Sequence, residues 1–370
     1  MGIVWSAFAA NHERWENFDT QRFWSDTQFD YEPNNVTSVV AALTAGDFTE
    51  IEPSVNGTYY VRRPDTSSGA LDIIDWNDRS AWDPNTQQFI HAGARRKSKI
   101  VAYANRTGRW REVPQPASDL HGTAHWYGRT AWNGSLAMFG RWTYDPATDT
   151  FVDFWTEKGW SFDRESTLEW WPEYGTSGGW FAANNGVPKI WDVALDANVD
   201  LADTGHGQHV FCRRLPATGQ MILHGGSDTV RRTTVIETDG NFAQVSNSPV
   251  DFSVSEQALY AHPTQACWIR PKSVFSNTPL LTYWPATDTW QEETETDPSW
   301  ASGGVPTHPV YALDSANDAY VVLNDDGLYG YKPATFTPPA GGTTVGPGTL
   351  QNLGNQFSPR AANRLNGWLQ

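Results

Sequence analysis

Two short basic runs interrupt an otherwise acidic chain: Arg95, Arg96, Lys97 and Lys99 in one, Arg231 and Arg232 in the other. Clustered guanidinium and ammonium groups suit a carboxylate, a sulfated or sialylated glycan, or an acidic partner, because each can make charge-assisted hydrogen bonds. The competing expectation is a solvated loop with scattered surface ion pairs. Trp155, Trp160, Phe252 and Trp300 fall in neighbouring connecting segments. A Trp displayed on a loop stacks on the apolar face of a sugar or anchors a protein partner, whereas a Trp turned inward is packing. Histidines recur in the same connections, at His121, His125, His206, His209 and His308. Three of them, His121, His206 and His308, could hold a metal if they converged, but no spacing forces them together, so no metal is expected.

Signs of catalysis are thin. Asp163, Glu165 and Glu169 are carboxylates with no evident pairing for acid–base work, and no phosphate-binding loop or zinc motif is present. No cofactor is expected. Cys212 and Cys267 are too few for a disulfide framework and read as buried free thiols, with a single bridge between them as the alternative. The formal charge of −16 argues against a nucleic-acid surface built on general electrostatics. No apolar run reaches the length needed to span a membrane. The first residues lack a basic stretch before an apolar one, so no secretion signal is expected.

The elements that must position these side chains announce themselves through a repeated phrase. Tyr144, Asp145, Pro146, Ala147, Thr148, Asp149, Thr150 and Phe151 read as strand, tight turn and strand. Pro fixes φ, and the Asp and Thr side chains can bond back to the turn backbone. The phrase returns from Tyr283 to Trp290, in worn form from Tyr103 to Trp110, and again from Tyr331 to Phe336. The aromatics Trp110, Phe151, Phe242, Trp290 and Phe336 keep a period of about 45 residues, with a divergent copy over 165–201 filling the double step. Twenty Trp, thirteen Tyr and seventeen Phe favour strands throughout.

Four strands at that period predict an all-β chain of six four-stranded antiparallel blades, a β-propeller. Residues 37–52 read as a hairpin turning at Ala45–Gly46, and 57–76 as a second hairpin. Residues 37–78 therefore supply closing strands, or else a seventh blade. Residues 1–36 form an aromatic-rich N-terminal arm, 37–339 the propeller, and 340–370 a Gly/Pro-rich linker followed by a C-terminal tail.

Over residues 79–339 the chain resembles the Kelch-type propellers, the group that includes galactose-oxidase-like enzymes. The resemblance is carried by the diglycine of Ile222, Leu223, His224, Gly225 and Gly226, by the partial copy at His91–Gly93, and by the turn phrase. It implies blades closed around an axis, with ligands on the face of the between-blade and second-to-third loops. Oxidases of this kind need a copper site with a Cys cross-linked to a Tyr, for which neither Cys212 nor Cys267 has a suitable setting. The expected function is a non-catalytic structural and recognition module, held in an oligomeric assembly by protein partners on its arm and tail. A phage virion or tail is the favoured setting and the cytoplasm the alternative. A carbohydrate-active enzyme or a glycan-binding lectin on the same fold is the alternative function.

Overall fold

A computed structural model describes residues 36–53, 77, 79–93, 99–105, 108–114, 128–161, 166–184, 187–208, 210–226, 231–251, 259–271, 279–294, 309–324 and 327–340. The repeated phrase folds for a specific reason. Tyr144 and Phe151 are directly opposite one another, their rings stacked at 4.7 Å, and Tyr283 and Trp290 repeat the pair at 5.0 Å. Asp145 accepts from the Ala147 amide at 2.9 Å, closing the turn. The last Asp of the phrase, Asp149 or Asp288, takes a left-handed φ of 55° or 50°, a conformation Asp tolerates better than most residues. The buried hydroxyls of Tyr144 and Tyr283 then donate to Asp149 and Asp288. In the worn copy Gly108 holds the left-handed position, at φ 60°. The same turn chemistry serves first-to-second connections, where Asp83 and Asp314 accept from Asn85 and Ala316.

In chain order the elements are helix α1 (Val36–Ala42) and β1 (Phe48–Pro53), then the blades. Blade 1 is β2 (Ala81–Asp83), β3 (Gln88–Gly93), β4 (Lys99–Ala104) and β5 (Arg109–Glu112). Blade 2 is β6 (Thr130–Trp132), β7 (Ala137–Phe139), β8 (Trp142–Asp145) and β9 (Thr150–Asp153), followed by the short helix α2 (Phe154–Lys158). Blade 3 is β10 (Thr167–Trp171), β11 (Gly179–Asn184), β12 (Val187–Asp192) and β13 (Ala197–Asp200). Blade 4 is β14 (Phe211–Arg214), β15 (Met221–His224), β16 (Thr233–Ile236) and β17 (Phe242–Val245). Blade 5 is β18 (Tyr260–Ala261), β19 (Trp268–Arg270), β20 (Leu281–Trp284) and β21 (Thr289–Glu292). Blade 6 has β22 (Val310–Asp314), β23 (Ala319–Asn324) and β24 (Gly327–Tyr331), and its fourth strand is β1. Every sheet is antiparallel and runs in sequence order from its first strand outward, except that β1 completes blade 6. Nothing among the described residues forms a seventh sheet.

This closure corrects two expectations. Residues 37–52 are not a hairpin: their first half is α1, and only β1 is a strand. Val36, Val39, Val40 and Leu43 recur at helical spacing, and they seat one face of α1 on the backbone at Gly330. Adjacent β-branched valines gave that stretch its strand-like look. Nor does Phe336 open a fourth strand, because β1 already occupies the edge of β24. The segment after Tyr331 instead crosses to blade 5, where Phe336 exchanges hydrogen bonds of 2.9 Å in both directions with the Gln265 side chain. The second hairpin expected over 57–76, the N-terminal arm and nearly all of the C-terminal tail lie outside the described residues.

Six apolar clusters fill the wedges between and within blades, and polar ties cross from blade to blade. Arg111 of blade 1 reaches Tyr144 at 3.2 Å and Asp149 at 2.8 Å in blade 2. The Trp171 indole donates to Gly219 O of blade 4 at 2.6 Å, and the Trp268 indole to Arg213 O at 3.1 Å. Asp288 accepts from both the amide and the hydroxyl of Ser246 in blade 4. Cys212 and Cys267 are buried free thiols, as expected, and burial pushes the Cys212 thiol up to about 12. No helix among the described residues is long and apolar enough to cross a membrane.

Candidate functional site

The first strand of each blade faces the axis, and side chains there must fill or line whatever space the ring leaves. Arg79, just before β2, is buried, and its guanidinium crosses the axis. It donates to the carbonyls of Thr130, Leu168 and Cys212, which belong to blades 2, 3 and 4. Its Nη1 also lies 3.2 Å from Glu169 Oε2 on β10. That carboxylate receives the Arg214 amide at 3.4 Å. Burial raises the Glu169 carboxyl above the usual range, a push that the Arg79 charge opposes but does not cancel. The carboxylate that looked unpaired in the sequence thus has a partner from another blade. On the far side of the ring, Tyr260 of β18 and Tyr311 of β22 stack at 4.7 Å, and Ser80 N bonds Tyr311 O at 3.0 Å.

Beside this lock is an axial pocket of about 360 Å³. Arg79, Glu169, Arg213 and Arg214 contribute charge to its lining, Trp132 and Trp170 half-buried aromatic walls, and Tyr260, Tyr311 and Tyr320 its deeper surface. Pro84, Gly134, Pro172, Pro216 and Ser315 also line it, all from first-to-second connections. The pocket therefore opens on the face formed by the first-to-second and third-to-fourth turns, opposite the face expected to bind ligands. The same face carries Val193 and Leu195 on the β12–β13 turn and Phe48 at the start of β1, which are 43%, 68% and 50% exposed. The described chain begins and ends there too. The Val36 amide bonds Asn105 after β4, and Phe336 bonds Gln265 between β18 and β19.

Several residues singled out in the sequence have other roles. Trp160 is not a displayed loop residue: it is 1% exposed, its ring lies edge-on to Phe154, and its indole donates to Asn198 at 2.9 Å. Trp155 is half-buried on α2, with the Arg141 guanidinium 5.4 Å over its ring. Arg231 pairs with Asp251, and Arg232 donates to the Thr204 and Gly205 carbonyls. These two arginines tie their loop to the connections that precede and follow the same blade. Both ring nitrogens of His206 have partners within the fold, Nδ1 with Gly225 O at 2.9 Å and Nε2 with Thr234 Oγ1 at 3.0 Å. No group of three potential metal-binding side chains occurs among the described residues. Arg95, Arg96, Lys97, Trp300, Phe252, His121, His125, His209 and His308 lie outside them.

Of the charged residues around the axis only Glu169 stands out in the sequence, although Arg79, Arg213 and Arg214 carry a signal as well. Arg79, Glu169, Arg213 and Arg214 each place a charge on or beside the first strand of a blade. In a closed ring the first strands lie innermost, so charges carried there gather near the axis.

Buried histidines make the fold acid-sensitive. Burial lowers His206 and His262 to about 4, outweighing the backbone acceptors Gly225 and Ala334 that favour the charged ring. An unfolded His titrates near ~6.5, so between these values the unfolded chain binds protons that the folded one does not. Stability is then complete above the higher value and is lost as pH falls toward the lower. We expect a loss of about 2 kcal/mol from each ring by about pH 4.5. Urea titrations across that window check it: His206→Gln with His262→Gln should flatten the profile, and an unchanged slope would contradict the assignment.

No family model matches the sequence, and no curated protein matches it. Among solved structures, a chain from the crystal structure of the mitotic checkpoint complex is similar over 74% of this chain and 94% of that one, at 14% identity and a TM-score of 0.44.

Proposed function

We propose that the chain is a non-catalytic, Kelch-like propeller that recognises protein partners through one face and serves as a structural module in a larger assembly. The observation that carries this reading is the gathering, on a single face, of the axial pocket, the exposed Phe48, Val193 and Leu195, and both points where the chain joins its terminal segments. Apolar side chains exposed on such a rim suit a protein interface. The groups best able to do chemistry are engaged within their own fold: Arg79 by three blades, His206 by a carbonyl and a hydroxyl, and Cys212 by burial. The terminal segments, 1–36 and 340–370, are the proposed tethers to neighbouring subunits. A virion, a phage tail among the possible settings, would use such a module, and a cytoplasmic scaffold would use it the same way.

Sedimentation tests this. The full chain should associate, whereas residues 1–339 should run as a folded monomer with the melting temperature of the full chain. Association retained by residues 1–339 would overturn the role given to the tail.

A further inference from the structure

The first-to-second turns of several blades are closed by one side chain that accepts from the amides two and three residues further on. In blade 1 it is Asp83, with Asn85 N at 2.9 Å and Thr86 N at 3.2 Å, and in blade 2 it is Asn133, with Ser135 N at 3.0 Å and Leu136 N at 2.7 Å. Blade 5 puts His262 in that place: its Nδ1 accepts from Thr264 N at 3.2 Å and from Gln265 N at 3.0 Å. Backbone amides only donate, so Nδ1 carries no proton and the ring is the Nε2–H tautomer. Nε2 then donates to Ala334 O at 3.0 Å. One ring thus joins the turn to a strap, residues 332–337, that leads the chain away from β24. The turn also aims Gln265, whose side chain donates to Phe336 O and accepts from Phe336 N, each at 2.9 Å. The Phe336 ring lies edge-on to His262, with centroids 5.9 Å apart.

We propose that His262 is an acid-operated catch: a proton on Nδ1 turns the acceptor into a donor facing two amide hydrogens, opens the turn and releases residues 333–337 from blade 5. Protonation of His206 meets no such conflict, because its partners are a carbonyl and a hydroxyl oxygen, and both can accept. Burial pushes the His262 ring down to about 4, against the Ala334 carbonyl and the Asp318 charge on the β22–β23 turn, which both favour the charged form. The neighbouring ionisable groups are otherwise engaged. Cys267 and Tyr320 are buried, and burial raises both. Lys332 on the strap is held by Asn317 O at 3.1 Å, and Glu293 on the side of β21 accepts from the Thr282 hydroxyl. A freed ring titrates near ~6.5, so opening is level above that value and grows as pH falls toward the lower one. The upstream end of the strap stays fastened, because Lys332 exchanges backbone bonds of 2.9 Å with Gly46 and Asp47. The catch is independent of the tethering role given to residues 340–370, which sedimentation of the truncated chain tests separately.

Amide exchange and ring-nitrogen chemical shifts of the full chain test the catch. Between about pH 7 and about pH 4.5 the protection of the Phe336 amide, corrected for intrinsic rates, should fall about fiftyfold. Sub-denaturing urea should not accelerate that exchange, which marks a local opening rather than global unfolding. His262→Asn keeps an acceptor for both amides, as Asn133 does in blade 2, but has nothing to titrate. It should reduce the fall to less than about threefold with unchanged circular dichroism. The unaltered protein supplies a test that needs no variant: at about pH 7 the His262 ring should show a bare Nδ1 and a protonated Nε2. The proposal would be overturned by an Nδ1–H tautomer, by a full loss of protection retained in His262→Asn, or by Phe336 exchanging at both pH values only in the urea-dependent step it shares with β23.

Discussion

Replacing Arg79 with Met should cost about 3–5 kcal/mol of unfolding free energy, the usual penalty for removing one partner of a buried charge pair. The substitution strips donors from carbonyls of three other blades and leaves Glu169 desolvated with no opposing charge from Arg79. It should appear as a lower urea midpoint at unchanged slope, since the exposed area on unfolding stays the same. Adding Glu169→Met should restore part of the loss, because the two side chains share one interaction and their effects are not additive. A loss below about 1 kcal/mol for Arg79→Met, or no recovery in the double variant, would mean that the axis is held by blade packing alone.

The second large effect concerns closure. A chain beginning at residue 54 lacks α1 and β1 and should not fold to a stable monomer. It would lose the buried side chains of Val36, Val40, Leu43 and Ile51, each worth about 2 kcal/mol. It would also uncover the full edge of β24, from Gly327 to Tyr331. That sum approaches the net stability of ~5–15 kcal/mol typical of a domain, and a bare strand edge invites aggregation. Supplying residues 36–53 as a separate peptide should recover soluble, folded protein. A shortened chain melting within about 3 °C of the full one would show that blade 6 does not need its latch.

Much of the architecture is legible in the sequence because one turn has one physical solution. Asp145 and Thr148 close it, Asp149 accepts the left-handed conformation, and Tyr144 faces Phe151 across the strands. Those constraints are local, so a linear pattern reveals them, and the strands Trp142–Asp145 and Thr150–Asp153 flank the turn as the phrase requires. What depends on distant neighbours is hidden. The valines of α1 look like a strand until Gly330 supplies a surface for one helical face. Phe336 keeps the phrase but loses its strand partner, because β1 arrives from the other end of the chain. Trp160 sits in a connection, where aromatic residues suggest display, yet it is wedged beside Phe154 and Trp191. The axial charges needed the most context of all, since Arg79 and Glu169 are ninety residues apart in sequence and meet only when the ring is shut.

Ring closure by β1 underlies both the lock at the axis and the face on which the terminal segments meet, and native-state amide exchange addresses it directly. If β1 is an integral strand, its amides should exchange in the same slow cooperative step as those of β23 and β24, at the rate of global unfolding. Exchange of the β1 amides orders of magnitude faster than that of their β24 partners would show a loosely attached arm and would contradict the closed six-bladed wheel.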